Sequence, residues 1–233
     1  MLEQMLREGL ETMGISFSPE APARFRIYYE ELTKANAVMN LPAIRGEADS
    51  ARLHFLDSAA PLKRFDLECA SVIDVGTGAG FPGLPLKLLR PSLSLTLLDS
   101  QRKRVDFLRG LCACLELGDV ELLCARAEDC SDRRERYDFA VSRAVARLRV
   151  LSELCLPFVR VGGRFLALKG PAAAEELRES ERAIALLGGE AEEIFPYALP
   201  GEPTEHSVVV IRKTKETPRK YPRPFPQIKK TPL

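Results

Sequence analysis

Few residues in this chain belong to types that do chemistry unaided. There are two histidines, His54 and His206, and six cysteines at positions 69, 112, 114, 124, 130 and 155. No two cysteines form a C-x-x-C pair, so the pattern does not make a zinc site, and cysteines in apolar stretches read as small core residues. What stands out is a glycine cluster. Gly76, Gly78, Gly80 and Gly83 lie in Ser71–Pro85, SVIDVGTGAGFPGLP. They follow the β-prone run Val72–Val75 and precede Leu84–Leu89, with Pro82 or Pro85 suited to a first helical turn. A strand, a glycine loop and a helix start form a cradle for a nucleoside cofactor, because missing side chains let backbone N–H groups approach the ligand.

The loop reads in two ways. Gly78-Ala79-Gly80-Phe81-Pro82-Gly83 satisfies the dinucleotide pattern G-x-G-x-x-G, and Asp99 lies at about the expected twenty-residue distance. Counted from Gly76, the stretch is D-x-G-x-G-x-G with Asp74 as the acid near the strand end. That version suits S-adenosylmethionine. It is favoured because strand hydrophobicity stops at Val75, directly before Gly76, which leaves Gly78 two residues late for a dinucleotide turn.

The elements that must hold these residues alternate. After the first strand come a strand at Ser94–Leu98 ending in Asp99 and a helix at Gln101–Leu117. A strand follows at Val120–Cys124, then one at Tyr137–Val141. A helix is expected at Leu148–Val159, with Gly162-Gly163 ending its connection to a strand at Arg164–Leu168. The chain closes with a helix at Pro171–Leu187 and an antiparallel pair, Glu190–Tyr197 with Ser207–Arg212. This predicts an α/β fold, a mostly parallel sheet with helices on both faces. Residues 1–66 form a helical extension, 67–212 the main domain and 213–233 a basic, proline-rich tail. Asn40-Leu41-Pro42-Ala43-Ile44 reads as a turn.

Ligands in such sheets sit beyond the carboxyl ends of the strands. Gly76, Gly78, Phe81, Asp99, Ala127-Glu128 and Arg143 therefore meet at one crevice. Asp99 suits ribose hydroxyls, Glu128 and its neighbours the adenine, and Phe81 an apolar wall with a cation–π contact to the sulfonium. Arg143 suits a phosphate, a base edge or the cofactor carboxylate, or else pairs structurally with Asp74 or Asp138. Lys169 faces the same rim. His54 and Asp57 share a helix face, and the reading placed first is a hydrogen-bonded pair fixing that helix onto the sheet. Arg102-Lys103-Arg104 and Arg133-Arg134-Arg136 read as solvated faces.

Net charge is +1, yet residues 212–233 hold eight Lys/Arg against one Glu. That basic end, with Tyr221 and Phe225 interleaved, suits an RNA partner. Its five prolines between 218 and 233 predict neither regular helix nor central strand. No apolar run reaches membrane-spanning length and the start does not read as a secretory signal, so a cytoplasmic protein is expected, without a membrane partner.

These motifs resemble one family across nearly the whole chain. Val75–Pro85, Leu97-Leu98-Asp99-Ser100, Val141–Ala146, Leu168-Lys169-Gly170 and the Arg219–Arg223 tail with Pro232-Leu233 are similar to blocks of the bacterial 16S rRNA guanine-N7 methyltransferase G family, also called glucose-inhibited division protein B. The resemblance implies a Rossmann-like class I methyltransferase that uses S-adenosylmethionine and acts on one guanine of 16S rRNA in the small ribosomal subunit. A monomer is expected. Its cofactor positions match Gly76, Phe81, Ala127, Glu128 and Arg143. Two departures stand out. Asn40-Leu41-Pro42 replaces the family's Asn-Leu-Thr, and Phe225-Pro226 stands where the tail usually carries a glycine. No residue is assigned as a general base, and Arg143 and Lys169 are the substrate-positioning candidates. A nicotinamide dehydrogenase and a non-catalytic RNA-binding module are the alternatives. The first lacks a Tyr-x-x-x-Lys or a suitably placed catalytic His, and the second predicts no methyl transfer.

Overall fold

A computed structural model describes residues 1–39 and 46–233. The turn expected at residues 40–44 lies outside the described residues. The chain begins with helices α1 (Leu2–Thr12) and α2 (Ala21–Met39). A helical run then joins α3 (Glu47–Asp49), a π-wound segment Ser50–Leu56, α4 (Asp57–Ala59) and a tight turn Ala60–Lys63. Strands β1 (Ser71–Val75) and β2 (Ser94–Asp99) flank α5 (Gly83–Leu89), and α6 (Arg102–Cys114) leads to β3 (Glu121–Cys124). Then come β4 (Tyr137–Arg143), α7 (Leu148–Cys155), β5 (Val159–Lys169) and α8 (Ala173–Leu186), followed by β6 (Gly189–Tyr197), β7 (His206–Lys213) and α9 (Phe225–Lys230).

The seven strands form one sheet in the order β3-β2-β1-β4-β5-β7-β6. Strands β1 to β5 pair in parallel, and β7 runs antiparallel between β5 and β6. An open dinucleotide sheet has the order 3-2-1-4-5-6 without that inserted strand. The chain reverses its direction of winding at β1, whose neighbours are β2 and β4. A crevice opens at the carboxyl ends there.

Strand alternation assigns the two faces. Val72, Leu97, Val141, Leu166 and Val210 pack with apolar residues of α1, α2, α5 and α6. Ile73, Leu98, Ala140, Phe165 and Val209 point the other way, into a core with Leu151, Leu154, Ile184 and Leu187. Helices therefore cover both faces.

Two expectations about local structure are corrected. The helix after β4 ends at Cys155, and β5 already begins at Val159, so Gly162-Gly163 lies inside the strand. The β4–β5 register jumps from Tyr137–Val159 to Phe139–Arg164, so the intervening residues of β5 loop out. A Cβ on Gly163 would come within 2.5 Å of the Asp138 carbonyl, which explains a glycine there. The tail, expected to exclude helix, contains α9. Its Pro226 sits in the first turn, where no intrahelical N–H is needed.

The tail is tied down by charge. Arg223 donates its backbone N–H and Nε to Glu153 Oε1 at 2.9 and 2.8 Å and a terminal nitrogen to Oε2 at 2.6 Å. Glu153 on α7 is fully buried. Arg134 donates to the carbonyls of Thr217 and Tyr221 at 2.6 and 2.5 Å, and Ile228 is buried. Removing one partner of a buried pair strands the other charge. Arg223→Ala is expected to cost about 3 kcal/mol in urea unfolding, part of which Glu153→Gln in the same chain restores. An unchanged urea midpoint for Arg223→Ala would show that the tail is not held by this pair.

Candidate functional site

The glycine loop is fixed before any ligand arrives. Gly76 and Thr77 donate their N–H groups to the Leu98 carbonyl at 2.8 and 3.1 Å. Gly76 has φ +74°, and a Cβ there would lie 2.7 Å from Val145 Cγ2. Gly78, at φ +61°, has only the Gly76 carbonyl as near as 4.0 Å, so the space beside it belongs to the cavity.

Asp74 holds the loop from behind. Its Oδ2 accepts the Thr77 hydroxyl at 2.7 Å and the Gly83 N–H at 2.8 Å. Its Oδ1 is buried and without a partner among the described residues. Burial pushes the carboxyl up to about 7, against the lowering effect of Thr77, Gly83 and Arg143.

Two adjoining cavities open over the loop. One, about 410 Å³, is lined by Gly76, Gly78, Phe81, Asp99, Arg104 and Arg143, among others. The other, about 160 Å³, is lined by Gly76, Asp99, Ala127, Glu128, Val145 and Phe225, among others. Each of the cofactor-binding candidates read from the sequence lines one or both. Asp99 sits at their junction. It accepts the N–H groups of Gly78 and Gln101 at 3.0 and 2.8 Å and an Arg104 nitrogen at 3.2 Å. A carboxylate has about four acceptor positions, so room remains for a hydroxyl donor.

A third cavity, about 380 Å³, shares Arg143 and Ala144 with the first and adds His54, Asp57, Lys169 and His206. Arg143 is the common wall. Its Nη1 donates to the Leu53 carbonyl and to Asp57 Oδ2, both at 2.8 Å. Leu53 lies in the π-wound segment, a winding concentrated at functional sites. The guanidinium stands 4.8 Å from the Phe81 ring centroid. Phe81 in turn stacks on Tyr28 at 5.3 Å and on His54 at 5.2 Å.

Protonation in this wall is set by neighbours. Burial, and then Arg143, pushes His54 down to about 4, so it is neutral at physiological pH. Burial tends to raise the Asp57 carboxyl, but His206, Arg143 and Tyr197 outweigh it and hold it below the usual range. The Tyr197 hydroxyl donates to Asp57 Oδ1 at 2.6 Å, and His206 Nδ1 lies 3.1 Å from the same oxygen. His206 is raised in return, chiefly by its bond to Asp57.

Several sequence readings change. Arg143 pairs with Asp57, not with Asp74 or Asp138, because Asp138 is taken by Ser71 and Arg160. The cation over Phe81 is Arg143. His54 and Asp57 both engage Arg143 and line a cavity, beyond the pair expected to fix the helix on the sheet. Lys169 reaches the rim but is bound to Glu176 and to the Ala146 carbonyl, both at 2.8 Å. The arginine runs are not uniformly solvated. Arg104 binds Asp99 from the preceding strand end, Arg133 binds Glu121 and Arg134 binds the tail, so each run has an acceptor within reach. Sequence reading missed Tyr28, Tyr197, His206 and Phe225 as site residues. Tyr28 carried only a helical core signal, and β6 and β7 bring Tyr197 and His206 from far along the chain.

The chain is similar to known proteins in sequence and in fold. The family model for GidB, rRNA small subunit methyltransferase G, matches residues 22–200. The chain is 47% identical over 236 residues to ribosomal RNA small subunit methyltransferase G of Alkaliphilus oremlandii, covering 100% of this chain and 99% of that one. The like-named protein of Pelotomaculum thermopropionicum is 48% identical over 227 residues, with coverage of 96% and 95%. In fold the chain is similar to the YcgJ protein from Bacillus subtilis, with TM-score 0.55, 13% identity and coverage of 70% and 100%. It is also similar to the ribosomal protein L11 methylase of Lactobacillus delbrueckii subsp. bulgaricus, with TM-score 0.53, 16% identity and coverage of 70% and 80%.

The buried Asp74 carries a pH signature. An acid raised to about 7 in the native state keeps its proton there while the unfolded chain releases it near 4. Its contribution to stability is therefore lost as pH rises from about 4 to about 7, and is constant above that. Asn at this position does not titrate. The stability of Asp74→Asn relative to wild type should rise across pH 5, 6 and 7 and level off at 8 in urea titrations. A difference independent of pH would place Asp74 in the normal carboxyl range.

Proposed function

The chain belongs to the rRNA small subunit methyltransferase G family, and from that premise we propose that it methylates N7 of one guanine in 16S rRNA. At the coarser level it is an S-adenosylmethionine-dependent methyltransferase acting on ribosomal RNA. The observation that carries the finer reading is the wall formed by Arg143 and Ala144, which separates an adjoining pair of cavities over the glycine loop from a third one large enough for a base.

The residues present fit the cofactor. The two cofactor cavities together have the size of a small-molecule site. They offer the backbone of Gly76 and Gly78, an acceptor at Asp99 for ribose hydroxyls, and Ala127 and Glu128 at an apolar end for adenine. Arg104 and Arg143 at the other end suit the amino-acid carboxylate. Bound there, S-adenosylmethionine supplies an electrophilic methyl group on a cationic sulfur.

Guanine N7 has a lone pair and no proton. Methylation at N7 therefore asks no residue to act as general base. In keeping with this reading, His54, held down to about 4, is a weak base at neutral pH, and Asp57 is locked by three partners. What this chain does is align and exclude water. Arg143 and Lys169 hold the base or its phosphate at the wall, and the stacked Phe81 and His54 form an apolar side. Such positioning supplies roughly 7–11 kcal/mol in favourable cases. The target base leaves its stack to enter the cavity, as single-stranded or looped RNA permits. As the guanine becomes positively charged, the Asp57 carboxylate faces it across the cavity.

We assign residues 1–66 to the acceptor side, 67–212 to cofactor binding and transfer, and the basic tail 213–233 to RNA contact, in a monomer. The reading is tested by methylating unmodified small-subunit RNA, then reducing it and cleaving with aniline, which cuts at N7-methylguanine. One cut is expected, and it should vanish when 7-deazaguanine replaces the target. Arg143→Ala should lower kcat/KM about a hundredfold, equal to about 2.7 kcal/mol. Arg143→Lys, which keeps charge but not the forked geometry, should recover little. Full methylation of the 7-deaza substrate would reject N7 as the acceptor, and full activity of Arg143→Ala would reject the role of the wall.

A further inference from the structure

We infer that Phe225 of the C-terminal segment is an adenine-binding residue of the cofactor site, so that cofactor occupancy and the position of the basic tail stabilise each other. The inference rests on the cofactor reading above. Its observation is independent: a residue from the last nine of the chain lines the smaller cofactor cavity together with Ala127 and Glu128.

That cavity has the character of a purine slot. Val75, Leu98, Val145 and Leu154 supply apolar wall, and Glu128 supplies the acceptor for an exocyclic amine. Asp99 and Ser100 lie where it meets the larger cavity, so a nucleoside lying across the junction places its base in the slot and its ribose at Asp99. Among the described residues, Phe225 is the one aromatic ring lining the slot. An aromatic face beside a base is worth a factor of ten or more in affinity.

The ring is held in place from two sides. Its backbone N–H donates to Glu128 Oε1 at 3.3 Å, which leaves Oε2 for a ligand. The Arg126 guanidinium lies 5.7 Å from its centroid. Arg223, two residues earlier, is locked to buried Glu153, and Ile228, three residues later, is buried. Of these anchors only the Arg126 contact uses the Phe225 side chain, and the Glu153 and Ile228 anchors remain when it is trimmed, so the tail should stay docked. Lys229 and Lys230 follow on the same short helix and are exposed. An RNA strand neutralising them would bear on the segment that carries the ring. Coupling of this kind is reciprocal: whatever steadies the tail tightens the cofactor, and the converse.

The test titrates S-adenosylhomocysteine and, separately, adenosine into wild type, Phe225→Ala and Phe225→Leu by calorimetry. Both variants are expected to weaken both ligands about tenfold, Leu no less than fivefold, with thermal unfolding of the free proteins little changed. Phe225→Tyr should retain wild-type affinity. As a second readout, S-adenosylhomocysteine should slow tryptic cleavage after Lys229 and Lys230 in wild type and not in Phe225→Ala. Equal affinities in wild type and Phe225→Ala, or equal protection of the tail, would overturn this inference while leaving the cofactor reading intact. Failure of wild type itself to bind S-adenosylhomocysteine would overturn the cofactor reading first.

Discussion

The contact between Arg143 and Asp57 holds the site together. Arg143 ends β4, Asp57 starts α4, and Tyr197 and His206 from β6 and β7 close on the other oxygen of the same carboxylate. Three parts of the chain that share no local sequence are thus tied to one buried anion. Such an ion pair has little net value in stability once desolvation is counted, and its worth lies in geometry. Here the geometry is a guanidinium held over the Phe81 ring between two cavities. The π-wound turn contributes by turning the Leu53 carbonyl to the same guanidinium. With one nitrogen on the carboxylate and on that carbonyl, the group has few alternative orientations.

Much of this was legible because it is local or periodic. Gly76 and Gly78 follow the strand so closely that the sequence alone places the loop. The single-residue alternation of Leu97 and Leu98, or of Val209 and Val210, is what divides them between the two cores. Asp99, Ala127, Glu128 and Arg143 were legible for a topological reason, since each follows the end of a parallel strand. What stayed hidden depends on sequence distance. Tyr197 binds Asp57 across 140 positions, and no spacing rule connects them. Phe225 was hidden for a different reason. Its prolines argued against helix, yet proline in a first turn is compatible with one, and a short helix was enough to turn the ring toward the cavity.

The two buried aspartates show how environment sets the state of identical groups. Asp74 is fully buried, has one oxygen without a partner among the described residues, and is raised. Asp57 is almost as deeply buried but receives three donors and is lowered. The difference suits their places. A carboxyl behind the loop needs only to accept two hydrogen bonds, and it does so in either state, which keeps an uncompensated charge away from the sheet interior. Under the proposed N7 chemistry a carboxylate facing the third cavity must remain an anion, because a base gaining positive charge would otherwise meet Arg143 alone. Neutral His54 serves the same end, since a second cation beside Arg143 would oppose that charge.

The far end of the chain extends this logic to the cofactor. A basic, proline-rich tail attached only by its own backbone would sample many positions, and its charges would serve RNA without regard to the pocket. Arg223 removes that freedom by burying its fork against Glu153, and Arg134 removes more by capping two tail carbonyls. Proline limits the conformations open to what remains, so little ordering is left for a ligand to impose. With Phe225 already lining the cavity proposed for adenine, the same short segment presents Lys229 and Lys230 outward. A single rigid piece then meets the nucleoside on one side and the polyanion on the other. Under that arrangement the affinity of each ligand depends on the other without any large movement of the sheet, because the only element both must satisfy is the tail that lies between them.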